Sequence, residues 1–380
     1  MDHLSADQQA DYRYMQQALA LAGRATIETS PNPKVGCVIV RDGQVLGQGW
    51  TQPVGQAHAE VQALRDAAAN GHDVRGATAY VTLEPCSHFG RTPPCANGLR
   101  DAGIARVVAA MQDANPQVAG RGLSILREAG VVVECDLFSD LALQARELNI
   151  GFFQRMETGK PWVRMKVAGS LDGITALPNG QSQWITGPTA RQDGHQWRAR
   201  ADAILTGIGT VLADDPMLNV RGVDTPRQPK KIIVDSQLRI SPQAKVLQGG
   251  ALIVCAVPDA EKQAQLEQAG AEVICLPDSN QQVAHQQVAH QQVDLPALMQ
   301  ELGRRQINEL HVEAGATLNG ALMQQSCVNE LLLYLAPKLL GSGAGLFHLP
   351  ELTHVDQARV LQFHEVSLVG DDVRVLARFR

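Results

Sequence analysis

Two short stretches decide the fold: "HAEVQAL", residues 58–64, and "TLEPCSHFGRTPPC", residues 82–95. In the first, His58 and Glu60 stand just before the apolar spacing of Val61 and Leu64, which predicts that both lie at a helix N-terminus. In the second, Pro85 and Cys86 leave a run that reads as a strand, and Cys95 follows after eight more residues. Gly90 and two prolines in that interval build the turns that fold it back. A strand, a loop bearing Cys86 and a helix bearing His58 define one α/β unit with polar chemistry at its seams.

Those residue types point to a metal. A catalytic zinc site takes three protein ligands and keeps a fourth position for water, whereas a structural site closes all four. His58, Cys86 and Cys95 supply three. Glu60, two residues after His58, is too near to serve as an independent ligand and is placed to face the activated water. Zinc deaminases use this order, H-x-E and then P-C with a further Cys, and their non-ligand Glu carries protons to the ring and the departing ammonia. A thiol at a loop or helix start ionises readily, and two thiolates offset the charge of a divalent ion. The long interval departs from a close C-x-x-C pair, and its Ser87, His88, Arg91 and Thr92 are donors for a polar or phosphorylated substrate. The competing reading is a structural zinc module, which would need a fourth ligand; His88 is the candidate.

At 380 residues, against about 150 per domain, the chain is expected to hold two domains. Its 44% hydrophobic and 19% charged composition is that of a globular protein with enough apolar mass for two cores. A net charge of -6 argues against a nucleic-acid or anionic-membrane partner, both of which attract basic faces. The start, "MDHLSADQQADYRYMQQALALAG", is acidic and polar where a signal peptide needs a basic beginning and an apolar stretch. No segment reaches the roughly 18 apolar residues of a membrane span, so a cytoplasmic protein is expected. Seven cysteines, an odd number, fit reduced thiols, with Cys37, Cys135, Cys255, Cys275 and Cys327 read as small core residues.

Helix and strand alternate along the first part: a helix around Tyr12–Ala25, two apolar runs about the hairpin signal Asp42-Gly43, a helix near 59–69, then strands and helices in turn to "VVVEC". The pattern lapses in "NIGFFQRMETGKPW", and the domain boundary is placed there. A second run follows, with strands at "WVRMKVAGS", "AILTG", "KIIVDS", "ALIVCAV", "AEVICLP", "INELHVEAG" and "ELLLYLAP". Two strand-like runs about Gly370-Asp371-Asp372 predict a terminal antiparallel hairpin and hence a mixed sheet. The five-residue repeat "QQVAHQQVAHQQV", residues 281–293, reads as a solvated connection. Its His285 and His290 would stand about 140° apart on a helix, not on one metal-binding face.

Eight motifs in order carry a resemblance. "TSPNPKVGCVIV", "GQAHAEVQAL", "TLEPCSHFGRTPPC" and "QDANPQVAGRG" resemble the deaminase half of the bifunctional riboflavin-biosynthesis deaminase-reductase family. "KVAGSLDGITA", "SQWITG", "GIGTVLADDPMLNVR" and "VEAGATLNGAL" resemble its reductase half. The resemblance covers nearly the whole chain and implies a fold: a cytidine-deaminase-like three-layer α/β/α domain over 1–150, then a dihydrofolate-reductase-like α/β domain with a mixed sheet over 158–380. It implies zinc-dependent deamination of a phosphoribosylamino pyrimidine, with His58, Cys86 and Cys95 as ligands and Glu60 as proton shuttle, and homo-oligomers. Asn32 would grip the pyrimidine, although Pro-Asn-Pro also makes a turn, and His88, Arg91 and Thr92 would touch the substrate. One departure is Ala114, where the family pattern has proline; it loosens a turn.

No G-x-G-x-x-G follows the first strand of the second half. Two strand-to-helix junctions, at Gly207–Thr210 and Gly315–Gly320, offer backbone N–H groups suited to phosphate, though many α/β units simply turn this way. By resemblance, Ala168, Trp184, Thr210, Asp214, Ser236 and the run Gly315, Ala316, Thr317, Leu318, Asn319, Gly320, Ala321 would contact NADPH. Ser182, Arg198, Leu218, Arg221 and Glu313 would hold the substrate, the arginines either gripping its phosphate or sitting in salt bridges. Lys166 and Asp172 would polarise the sugar or form a strand-end ion pair. The implied reaction turns a ribosylamino group into ribitylamino. The alternative is a nucleic-acid base deaminase with an accessory domain, which would leave the second half's motifs without a role.

Overall fold

The computed structural model describes residues 5–87, 94–116, 118–278 and 291–379. Contacts divide the chain into two compact units, Met1–Thr158 and Gly159–Arg380. Among the described residues no helix is long and apolar enough to cross a membrane.

In the first unit the chain runs α1 (Ala6–Ala22), β1 (Gly36–Arg41), β2 (Gln44–Trp50), α2 (Ala59–Ala69), β3 (Thr78–Val81) and α3 (Cys95–Asp101). It continues through β4 (Arg106–Ala109), α4 (Arg121–Glu128), β5 (Val132–Cys135), α5 (Ser139–Leu148) and α6 (Ile150–Thr158). Helix α1 begins earlier than its apolar spacing suggested, because Ser5 and Gln8 close a capping box at its start. The Asp42-Gly43 turn has positive φ at both residues, 53° and 77°, as a tight hairpin between β1 and β2 requires.

The sheet order is β2-β1-β3-β4-β5, with β1 antiparallel to both neighbours and β3, β4 and β5 parallel. Alternate side chains of β1 serve two cores: Cys37 and Ile39 pack with α2, α3 and Phe152 and Phe153 of α6, while Val38 and Val40 pack with Met15 and Leu21 of α1 and Leu141 of α5. A strand covered on both faces reads as a continuous apolar run, and "CVIV" is one. The layers are therefore α/β/α. The stretch whose pattern lapsed in the sequence is helical, since α6 buries its phenylalanines in the first core.

The second unit adds β6 (Trp162–Ser170), β7 (Ile174–Ala176), α7 (Pro188–Arg200), β8 (Ala203–Gly207), α8 (Ile208–Asp214), β9 (Lys230–Val234), β10 (Ala251–Cys255) and α9 (Ala260–Gln268). After these come β11 (Ala271–Cys275), α10 (Leu295–Arg304), β12 (Glu309–Val312), α11 (Ala316–Gln324), β13 (Glu330–Ala336), β14 (Ala344–Gly345), β15 (Leu361–Val369) and β16 (Asp372–Phe379). One sheet of nine strands has the order β11-β10-β9-β8-β12-β6-β13-β16-β15. It is parallel from β11 to β13, and the β15–β16 hairpin closes it antiparallel, so the sheet is mixed as expected.

Strand order reverses between β8 and β12: the chain leaves β8 toward β9 on one side, and β12 fills the other. A crevice at the carboxyl ends of strands at such a reversal is where open α/β sheets bind ligands. Two readings of the sequence need correction. Cys275 is exposed and Cys135 only half-buried, because each ends an edge strand, β11 and β5. Of the five-residue repeat, positions 281–290 lie outside the described residues, but its last residue, Val293, is 3% exposed within the core that holds Leu298 and Leu302. That end of the repeat is packed, not solvated.

Candidate active sites

Three donors of the first unit meet where two helices begin beside a strand's end. His58 is the N-cap of α2, and Cys95 opens α3. Cys86 lies in the loop after β3. Nδ1 of His58 stands 3.6 Å from Cys86 Sγ and 3.3 Å from Cys95 Sγ. The ligand atoms all lie within 4.8 Å of one another. Zinc bonds of about 2.3 Å to sulfur and 2.0 Å to nitrogen at a tetrahedral angle would set S and N about 3.5 Å apart, so this donor set fits the ion.

Electrostatics favour the same use. Cys86 has its thiol pulled well below the ordinary range by hydrogen bonds from Cys95 and His58. Its sulfur also accepts the Cys95 backbone N–H at 3.3 Å. The contact with Cys86 raises His58 in turn. Glu60, 4% exposed in the first turn of α2, is pushed up to about 7 by burial and by the charge of Cys86. A carboxyl poised there exchanges protons in both directions at neutral pH. Asn32 sits in the turn entering β1, its N–H on the Thr29 carbonyl at 2.9 Å. His88, Arg91 and Thr92 lie outside the described residues.

One residue with a role here was passed over in the sequence. Glu84, 3% exposed, accepts four backbone N–H groups, from Asp113, Gly120, Gly122 and Leu123. The signal was an acid standing in a buried run, "YVTLEPC", two residues before Cys86.

In the second unit a cavity of about 1040 Å³ opens at the strand reversal. Thr210, Asp214, Ser236, Gly315, Thr317, Leu318, Ala321 and Ser182 line it. Gly207 caps α8 and Gly315 caps α11, neither with a side-chain cap, so both helices present their first backbone N–H groups without a competing side-chain acceptor. Such ends suit the phosphates of a dinucleotide, and the cavity has the size for one. Two members of the α11 run lie behind the cavity wall: Asn319 is buried with its amide on the Ala314 carbonyl, and Gly320 lies against the backbone of His348. Ala168 is on β6 opposite Tyr334, and Trp184 is 64% exposed beneath the Arg191 guanidinium. His348, which lines the cavity with its ring 3.2 Å from the Thr317 hydroxyl, was not anticipated.

A second cluster centres on Glu313. Arg198 donates to both its oxygens at 2.5 and 2.8 Å, and Lys166 Nζ lies 4.0 Å away. Burial raises this carboxyl, but Arg198 and Lys166 outweigh it and hold the group well below its usual range. Arg198 also reaches the Asn219 carbonyl at 2.9 Å, and Arg221 the Asn219 side chain at 2.6 Å, so the loop carrying buried Leu218 joins the cluster. Asp172 does not pair with Lys166. It accepts the backbone N–H groups of Leu340 and Gly341 at 3.0 and 2.8 Å, along with the Ser170 hydroxyl.

A hydrolytic metal centre on one unit and a dinucleotide-sized cavity on the next define a class of enzyme, a zinc deaminase fused to a reductase. Residues 8–111 match the cytidine and deoxycytidylate deaminase zinc-binding region, and residues 161–375 match the RibD C-terminal domain. The riboflavin biosynthesis protein RibD of Escherichia coli (strain K12) is 47% identical, over 96% of this chain and 98% of its own. Acinetobacter baumannii RibD superposes with a TM-score of 0.86 at 41% identity, covering 98% of this chain and 99% of that one. A Thermotoga maritima diaminohydroxyphosphoribosylaminopyrimidine deaminase/5-amino-6-(5-phosphoribosylamino)uracil reductase gives 0.84 at 28%, covering 98% and 99%. The chain belongs to the RibD family: it is a bifunctional deaminase and reductase of riboflavin biosynthesis that uses zinc and NADPH.

Proposed function

We propose that residues 1–150 deaminate 2,5-diamino-6-(5-phosphoribosylamino)pyrimidin-4(3H)-one and that residues 158–380 then reduce the ribosyl side chain of the product to ribityl. The observation that carries this is the convergence of His58, Cys86 and Cys95 beside a buried acid, in a chain whose second unit has a separate cavity. His58 Nδ1 and the two sulfurs would hold zinc. When bound, zinc supplies Lewis acidity that makes water a nucleophile at neutral pH. Glu60 takes the water's first proton on a carboxylate oxygen and passes it to the ring nitrogen; as the carbonyl forms it takes the second proton from the added hydroxyl and passes it to the amine, which leaves as ammonia. Burial keeps this carboxyl near the pH at which it must both accept and donate. Asn32 is assigned to the pyrimidine, and His88, Arg91 and Thr92 to the ribosyl phosphate side.

In the second unit Thr210, Ser236 and the Gly315–Ala321 run, with Ala168, Trp184 and Asp214, are assigned to NADPH. NADPH supplies the hydride; the chain supplies position and charge. Arg198, Arg221, Ser182 and Leu218 orient the substrate. Glu313 fixes Arg198, and Lys166 with Asp172 faces the sugar. The protein is cytoplasmic and homo-oligomeric in this reading, with small phosphorylated pyrimidines and not nucleic acid as its partners. Purified protein given the diaminopyrimidine should release ammonia without NADPH and oxidise NADPH only once that step is complete. Absence of ammonia would overturn the reading.

A further inference from the structure

We propose that Glu84 is a positioning residue for the metal ligand Cys86, acting through the Pro85 hinge and clamped by the backbone N–H groups of Asp113, Gly120, Gly122 and Leu123. Its carboxylate accepts the N–H groups of Asp113 at 3.2 Å, Gly120 at 2.9 Å, Gly122 at 2.9 Å and Leu123 at 3.3 Å. Three of these belong to the start of α4, whose N-cap, Gly120, has no side chain to satisfy them. Glu84 therefore caps that helix from another part of the chain, with its negative charge at the positive end of the helix dipole. Asp113, Gly120 and Gly122 of the motif "QDANPQVAGRG", which the reaction itself leaves without a role, cradle this carboxylate.

The clamp acts on Cys86 because little separates them. Glu84 N–H also donates to the Met111 carbonyl at 3.0 Å, so backbone and side chain of residue 84 are both fixed. On the far side the Cys86 carbonyl accepts the Ala96 N–H at 3.2 Å. Gly122 presses on the hinge itself: an added Cβ would overlap the Pro85 carbonyl oxygen. The ligand is thus set between the start of α4 on one side and α3 on the other. Groups hydrogen-bonded directly to a metal ligand tune metal affinity by roughly 10- to 100-fold, and the same range is taken for this clamp, which acts through the backbone.

The inference rests on Cys86 being a metal ligand, so the test separates the two ideas. In the full-length protein, zinc affinity is measured by chelator competition, and the thiolate-to-metal absorption is recorded after cobalt replaces zinc. Glu84→Gln turns one acceptor into a donor among N–H donors; zinc affinity should fall about 10- to 100-fold and the cobalt band should shift and weaken. Leu126→Ala, which loosens α4 from its core side, should leave both intact while lowering thermal stability. Glu84→Asp, which keeps both acceptor oxygens but draws them back from the amides, should give a smaller change of the same kind, and it decides the matter if Glu84→Gln fails to fold. Unchanged affinity and spectrum in Glu84→Gln, or equal losses in Leu126→Ala, would overturn the proposal. Full zinc retention by Cys86→Ser would instead remove the ligand assignment, and this proposal with it.

Discussion

The deaminase centre and the reductase cavity are built on opposite plans. The first gathers its donors within a sequence interval of 37 residues, two at helix starts and one in the loop after a strand, with Cys95 buried and His58 and Cys86 half-buried. The second draws its lining from Ala176 to His348, mostly through backbone and small side chains at the carboxyl ends of parallel strands. One site concentrates its chemistry in a few groups whose ionisation burial controls. The other spreads recognition over many weak contacts and leaves the chemistry to a cofactor. Loss of a single group should therefore silence the first and only blunt the second.

The largest contrast is expected at Glu60. Glu60→Gln should slow ammonia release by about 10²–10⁴, the usual contribution of a general acid–base, while NADPH oxidation on pre-deaminated substrate stays within twofold. Equal loss of both rates would break the comparison. In the second unit a methyl group added at Gly320→Ala meets the His348 carbonyl and pushes α11 from the segment that edges the cavity. Overpacking of this kind costs about 1–3 kcal/mol of stability, so the melting temperature should fall and KM for NADPH should rise, with deamination unaffected. An unchanged KM would show that α11 does not set the cavity wall.

A smaller effect concerns pH. His195 accepts the Arg221 backbone N–H on Nδ1 at 3.2 Å. Burial, and then the charges of Arg198 and Arg221, depress it to about 4 from 6.5. Because the folded pKa is lowered, the stability it contributes is present above about pH 6.5 and is lost as pH falls toward 4. His195→Asn, which keeps an acceptor and removes the titration, should flatten the fall in melting temperature over that window. A slope identical to the parent's would assign the acid sensitivity to other groups.

The difference in plan also explains what could be read from the chain. The convergence of His58, Cys86 and Cys95 was legible because their types, order and flanking apolar spacing point to one metal site. The Asp42-Gly43 hairpin and the mixed sheet were legible for the same reason. Glu84 was not, since its meaning lies in amides 29 to 39 residues away. Lys166 and Asp172, six residues apart across the end of β6, looked like partners. The fold instead gives Lys166 to Glu313 and Asp172 to the amides of residues 340 and 341. Helix α6 was missed because its identity comes from the core that receives Phe152 and Phe153, not from its own pattern.

The account stands on the independence of two centres, and metal removal tests it most directly. Full-length protein stripped of zinc by a chelator should release no ammonia from the diaminopyrimidine, yet oxidise NADPH at the parent rate when given the deaminated intermediate. Added zinc should restore ammonia release alone. Ammonia release that survives stripping, or NADPH oxidation that disappears with the metal, would contradict it.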